Sequence, residues 1–398
     1  MLPEFQREFA DRYFSKEKYQ QFLNELDVAV GMKIEYRVSE MPVFVSNSFK
    51  HELEDAAIGI ATECMSAEHL KASDGSLKPE YTVLHQNSKP LFVIVDFAVA
   101  LDDNGNFTPK VVELQGFPSL FGYQFVLAKH IKDFYQFDRK FDHTFSNLSD
   151  EDYIGMMKKA ILGNHTPDEC CLLEYQPHLQ KTRPDFLCTN QLTGVEETDI
   201  CTVRKEGKKL FHQRQGNWKQ IKRIYNRTII DELNDNNVTL PFNWGDDLDV
   251  EWAGHPNWYF RISKYSLPFL HHKSVPKSVF LDTLESIPSN LDNFVLKPLF
   301  SFAGKGVIIN PTEKDILAIP KESRNNFVLQ ERIRYAESLY TPLGMNKVEL
   351  RIMMLWLDEW DKPVPVMSLA RTGRGPMMGV RYNSVEWSGS NGCLFGEE

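Results

Sequence analysis

The chain has 398 residues, 42% of them hydrophobic and 25% charged, the balance of an ordinary globular protein too long for one core, so two or three subdomains are expected. A net charge of −10 and a pI near 5.6 argue against a nucleic-acid or anionic-membrane partner, because phosphate surfaces call for clustered Lys and Arg. The six cysteines show no CxxC or Cys/His metal spacing, the first fourteen residues lack a signal peptide's apolar stretch, and no run nears the roughly 18 apolar residues of a membrane span, so a reduced cytoplasmic setting is expected.

In chain order, residues 19–26 and 49–58 carry apolar side chains at i, i+3 and i+4, which predicts amphipathic helices without evident chemistry. Residues 91–100 read as a buried strand interrupted by one carboxylate, Asp96. An Asn104-Gly105 turn follows, and residues 110–115 complete a hairpin that sets Glu113 and Gln115 on one face. Gly116-Phe-Pro ends the strand, and a helix is expected over about 119–132. The middle of the chain alternates short strands and helices from residue 170 to about 233, the pattern of an α/β layer. Beyond His255 come a helix at 263–270 and strands at 294–297, 307–310, 326–331, 349–356 and 364–371.

The sharpest chemical signal is Phe294-Val-Leu-Lys-Pro-Leu-Phe-Ser-Phe-Ala-Gly-Lys-Gly-Val-Ile-Ile. A lysine at a strand end is held rigidly beside whatever the next loop covers, and the glycines let backbone N–H groups approach phosphate oxygens. A P-loop is excluded, because the pattern is not GxxxxGK[ST] and it opens a strand rather than a helix. Taken alone, the segment also fits a glycine hairpin with a surface lysine. Downstream, the apolar strand ending in Gln330-Glu331 can form a base-binding slot. Upstream, Lys264 starts a short helix before the turn Val275-Pro276. Asp96, Glu113 and Gln115 put two acids and an amide on adjacent strands of the 91–115 hairpin, either as a polar site or as half-buried acids satisfied by hydrogen bonds. Arg183, Asp185, Asn226 and Arg227 are polar residues just after apolar strands, suited either to a substrate or to loop capping. The aromatic-rich stretch 251–260 reads as a packed linker rather than a binding box.

In this order the pieces resemble the ATP-grasp superfamily: a lysine at a helix start, a Val-Pro turn, Lys-Pro with a Gly loop, then Gln-Glu at a hinge. The family's metal-ligand strand does not follow them here; its counterpart lies upstream, as Ile94-Val-Asp-Phe and Val112-Glu-Leu-Gln. That order is similar to the circularly permuted ATP-grasp enzymes, such as the synthetase part of glutathionylspermidine synthase. The resemblance covers roughly residues 90–390. It departs from the synthase at Ile94, where that enzyme has an arginine, and at Gln115, where it has an asparagine.

The resemblance implies an α/β (α+β) ATP-grasp fold, circularly permuted, with a Rossmann-like middle domain. It divides the chain into residues 1–165 (helices and metal half), 166–255 (α/β middle) and 256–398 (ATP-binding lysine lobe). By the same resemblance, Lys264, Lys297, Ser301, Gly304 and Gly306 would contact the phosphates of ATP, and Gln330 and Glu331 the adenine and ribose. Asp96, Glu113 and Gln115 would hold Mg²⁺, while Arg351 and Arg371 would face the γ-phosphate or an acyl-phosphate. The implied reaction is ADP-forming ligation of a small-molecule or peptide carboxylate to an amine. The rivals are an ATP-binding module without turnover and a phosphotransferase.

Overall fold

The computed structural model describes residues 1–301, 304–379 and 382–398, and of Asp231 the backbone only. Its largest sheet has six strands, all antiparallel. The hairpin strands Phe92–Leu101 and Phe107–Gln115 pair with each other, and Phe92–Leu101 also pairs with Asn346–Leu355. Val364–Gly373 and Gly389–Asn391 extend the sheet, and Glu337–Leu339 pairs with the start of Asn346–Leu355.

Nine of the ten residues of Phe92–Leu101 are buried, because the strand is central and covered on both faces. Val93, Val95, Phe97 and Val99 share one core with the helix Asn47–Glu63, which contributes Leu53, Ala57 and Ile60. On the opposite face Phe92 and Ile94 join a second core with Met353, Leu355, Met367 and Leu369. Phe92 lies 5.1 Å from the ring of Phe121 and 5.4 Å from that of Tyr225, edges of the layer that covers this face. The apolar face gives way along the strands to Asp96, Arg351 and Arg371. The sheet is thus greasy at one end, where a second layer sits, and charged at the other.

The covering layer holds a four-stranded, all-parallel sheet in the order Glu251–Ala253, Arg223–Asn226, Cys170–Glu174, Glu197–Asp199. A separate antiparallel sheet contains Ser278–Phe280, Phe327–Glu331, Phe294–Pro298 and Ile308–Ile309 around a small core of Leu281, Leu296, Ile316 and Leu329. The last strands of the chain therefore belong to the sheet of the 92–115 hairpin and not to the lysine-bearing sheet, which differs from the expected lobe of 256–398. The strand 346–355 offers its alternate apolar residues to both cores of the hairpin sheet, and that burial fixes its partner.

The helix Lys16–Val30 starts at Ser15, whose hydroxyl accepts from Lys18 N, and stops at Gly31 with φ +86°. The helix Phe121–Tyr135 has no cap of its own. The Asp185 carboxylate reaches across 62 residues to accept from Tyr123 N at 3.0 Å and from Leu120 N at 3.1 Å. Gly116 has no room for a side chain: a Cβ there would stand 2.3 Å from the Trp258 carbonyl oxygen. Its N–H donates to Ile262 O at 2.7 Å, which draws the end of the hairpin against the segment carrying Lys264.

Among the described residues no helix is long and apolar enough to cross a membrane. All six cysteines are free, and five are buried.

Candidate active site

One cavity of about 1390 Å³ lies where the charged end of the large sheet, the parallel-sheet layer and the lysine-bearing sheet meet. Small-molecule pockets run to roughly 300–1,000 Å³, so this one has room for more than one small molecule. Eleven Lys and Arg residues line it against seven Asp and Glu, although the chain as a whole is acidic. The cavity is therefore locally suited to an anion.

Lys297 ends its strand beneath the cavity floor, 6% exposed. Its Nζ donates to Val112 O at 2.8 Å. Val112 is the extra residue of a bulge: Asp96 pairs with Glu113 and Phe97 with Val111, which leaves its carbonyl outside the ladder. Burial pushes the Lys297 ammonium down to about 8, against the raising pull of Glu113. Lys264 opens a short 3-10 helix capped by Ser263 and donates to Ser301 O, so the first lysine is tied to the loop that follows the second. Gly304 and Gly306 stand at φ +71° and +75° in that loop, where Phe302 and Ala303 lie outside the described residues. Gln330 is 1% exposed, and its Nε2 donor has no partner among the described residues. Val295, Val307 and Ile309 line the cavity along with Gln330, an apolar slot with one unused amide donor. Glu331 lines the same cavity with an exposed side chain.

Glu113 accepts from Gln115 Nε2 at 2.8 Å through one oxygen, and both residues line the cavity. The carboxylate's other oxygen and the amide oxygen of Gln115 are oxygen donors of the kind a nucleotide-borne magnesium takes from a protein. Asp96, expected beside them as a metal ligand, is placed differently. It is 1% exposed, and its oxygens accept from Arg351 Nε and Nη2, both at 2.7 Å, and from Arg371 Nη1 at 3.1 Å. A carboxylate held by two guanidinium groups has little to offer a cation. Glu113 and Gln115 fit magnesium and Asp96 does not. Among the described residues no three His, Cys, Asp or Glu side chains cluster as a metal cage.

Glu349, which the sequence left as an ordinary strand residue, joins this network. It accepts from Arg371 and, at 2.7 Å, from the Tyr335 hydroxyl. Burial raises the Glu349 carboxyl above its ordinary range although Arg371 opposes the shift. Burial likewise works to raise Asp96, but there the charges of Arg351 and Arg371 outweigh it and hold the carboxyl at about 2.

Opposite the arginines, the parallel-sheet layer presents Glu174, Gln180 and Arg227 to the same cavity. Burial pushes Glu174 up to about 8, with Arg227 opposing. Arg227 pairs with Asp185 at 2.8 Å, and its Nε has no partner. Of the four polar residues expected to hold a substrate or cap loops, only Arg227 lines the cavity. Asp185 caps a helix, Arg183 pairs with Glu197 at 2.8 Å, and the Asn226 side chain accepts from Thr228. His255 is buried with Nε2 on Leu84 O at 3.0 Å, consistent with a packing role.

No family model matches the sequence, and no curated protein matches it at significance. Among solved structures, a glutathione synthetase-like effector from Globodera pallida, in its apo form, matches over 96% of both chains with 12% identity and a TM-score of 0.55. At that identity the likeness concerns the fold: this chain has the mixed α/β fold of a glutathione synthetase-like protein along nearly its whole length.

Proposed function

We propose that the chain is an ATP-dependent, ADP-forming carboxylate–amine ligase of the circularly permuted ATP-grasp type, with the parallel-sheet layer as its Rossmann-like middle. The observation that carries this reading is the joint presence of Glu113, Gln115, Lys264, Lys297 and Gln330 on one cavity, although the hairpin and the lysine lobe are separated by the whole middle of the chain. A permuted nucleotide site requires that convergence, whereas unrelated lysines and acids have no reason to meet.

In this account the Gln330 amide and the apolar slot hold the adenine, and Glu331 the ribose. Lys264, Lys297 and the backbone N–H groups of Ser301, Gly304 and Gly306 hold the phosphates. Glu113 and Gln115 would hold a magnesium ion carried by the phosphates, which would supply positive charge against that of the transferred phosphoryl group. A substrate carboxylate attacks the γ-phosphorus, ADP leaves, and an amine then displaces phosphate from the acyl-phosphate. Arg371 and Arg351 stabilise the charge that develops on the transferred group and the tetrahedral oxyanion. Glu174, Gln180 and Arg227 face the second substrate; a neutral carboxyl beside an arginine suits the polar end of an amino acid or peptide.

Titration of Mg-ATP into the wild-type protein and into Lys297→Ala tests the nucleotide site. Saturable binding that the substitution weakens supports the reading, and equal affinity in the two proteins sinks it.

A further inference from the structure

We infer that Asp96 and Arg351 together form a fixed seat for a carboxylate of the donor substrate, in which Asp96 acts through Arg351 as a positioning residue. The inference rests on the ligase reading and deepens it by naming what the charged end of the sheet recognises.

The geometry is that of a prepared anion site. Asp96 and Arg351 are directly opposite across two neighbouring central strands, so their side chains share a face. The carboxylate takes Nε and Nη2 of Arg351 side-on, which fixes the plane of the guanidinium. Among the described residues the third nitrogen, Nη1, makes no hydrogen bond within the protein, and Arg351 lines the cavity although only 4% exposed. Arg371, one strand further, spends Nη1 on Asp96 and Glu349 and, among the described residues, leaves Nε and Nη2 without a partner. One buried carboxylate thus aims two guanidinium groups at one space and leaves donors of each unused.

The donors favour an anion there. Two arginines face the two acids they pair with, so it is the guanidinium N–H groups left unused, and not an excess of charge, that call for a further acceptor. A cation entering the same space would meet two guanidinium groups, and Asp96 has no free approach for it. A planar carboxylate matches donors from two fixed forks, whereas an ammonium or an alkyl group would strand them. Phosphate shares this chemistry, so the test separates the two anions.

The test titrates succinate, and separately inorganic phosphate, into protein saturated with Mg-ADP, by calorimetry. The variants are Asp96→Asn, Arg351→Met and Arg351→Lys, the last keeping the charge and therefore the fold if the other two do not. Wild type is expected to bind succinate saturably, Arg351→Met to lose it, and Asp96→Asn and Arg351→Lys to weaken it by about tenfold, the loss of one charged hydrogen bond. Mg-ADP affinity and the magnesium needed to reach it should stay within about twofold in all three, since nothing in ADP reaches this seat. A raised magnesium requirement in Asp96→Asn would return that residue to the metal centre and overturn the inference. Succinate binding unchanged by the substitutions, or phosphate binding without succinate binding, overturns it as well. If Mg-ADP binds no form of the protein, the ligase reading fails, and the succinate titrations on the nucleotide-free protein still decide the seat.

Discussion

Lys297 Nζ meets the carbonyl of Val112 at 2.8 Å across 185 residues of sequence, because the bulge beside Asp96 leaves that carbonyl without a strand partner. This bond joins the lysine-bearing sheet to the acid hairpin at the floor of the cavity. A bound phosphate would compete for the same ammonium. Lys297→Ala should therefore cost nucleotide affinity by about ten- to a hundredfold, the range of a charged hydrogen bond, as read by calorimetry with Mg-ATP.

The same lysine gives the site a pH dependence. Its folded pKa is about 8, below the ordinary 10.5. Nucleotide affinity should be flat below pH 8 and fall above it as the ammonium loses its proton, with proton uptake on binding near pH 9. The linkage to folding has the opposite sign. Between 8 and 10.5 the unfolded chain binds more protons, so the contribution of Lys297 to stability improves as pH rises through that window. An affinity constant from pH 7 to 9.5 would contradict the buried, charged lysine.

Glu113→Gln keeps the shape of the hairpin and removes a carboxylate that lines the cavity with one oxygen outside its bond to Gln115. The free magnesium needed for half-maximal ATP binding should rise by about tenfold, as for other changes around metal ligands. A magnesium titration at fixed ATP reads this directly, and an unchanged midpoint would mean that Glu113 holds no metal.

Arg371→Lys keeps a positive charge but loses the Nε and Nη2 donors of the fork that remain once Nη1 is held by Asp96 and Glu349. Turnover should drop by about tenfold or more while ATP affinity changes little, since the fork acts on the group being transferred and not on the nucleotide. Steady-state kinetics paired with calorimetry separates the two.

Glu174 supplies a stability prediction independent of nucleotide. Its carboxyl is raised by burial to about 8, so above the ordinary 4.5 the folded protein binds more protons than the unfolded one. Wild-type stability should then fall between pH 4.5 and 8 relative to Glu174→Gln. Thermal unfolding should place the variant above wild type at pH 8, with the gap shrinking toward pH 5. Equal melting temperatures at both pH values would show that Glu174 is charged in the fold.

Much of this site was legible in the sequence, and the gaps have physical causes. The apolar run through Asp96, the Asn-Gly turn, the Lys-Pro loop and the Gln330-Glu331 strand each carry a local signal, and the structure brings Glu113, Gln115, Lys297, Gly304, Gln330 and Glu331 from these segments to one cavity. Asp96 was legible as a carboxylate at a strand centre but not as a residue claimed by arginines. Its partner Arg351 lies 255 residues away, and the register between their strands is set by burial on two faces. The same blindness hid Glu349 and Glu174, which look like ordinary strand residues until a partner strand or layer covers them. Ile94, where the resembling synthase carries an arginine, faces Met353 across the strand pair, and Arg351 sits two residues along. That an arginine stands on the neighbouring strand beside Ile94 is something spacing along the chain cannot reveal.

The central claim is that ATP phosphorylates a carboxylate and that an amine takes the acyl group. The most direct measurement incubates the protein and Mg-ATP with pooled amino acids, polyamines and small peptides whose carboxylates carry ¹⁸O, then analyses the released phosphate by mass spectrometry. Attack by a carboxylate on the γ-phosphorus carries one labelled oxygen into that phosphate and leaves an amide product. The account predicts labelled phosphate in step with ADP and amide. ADP accompanied only by unlabelled phosphate would mean transfer to water or a hydroxyl, and would contradict it.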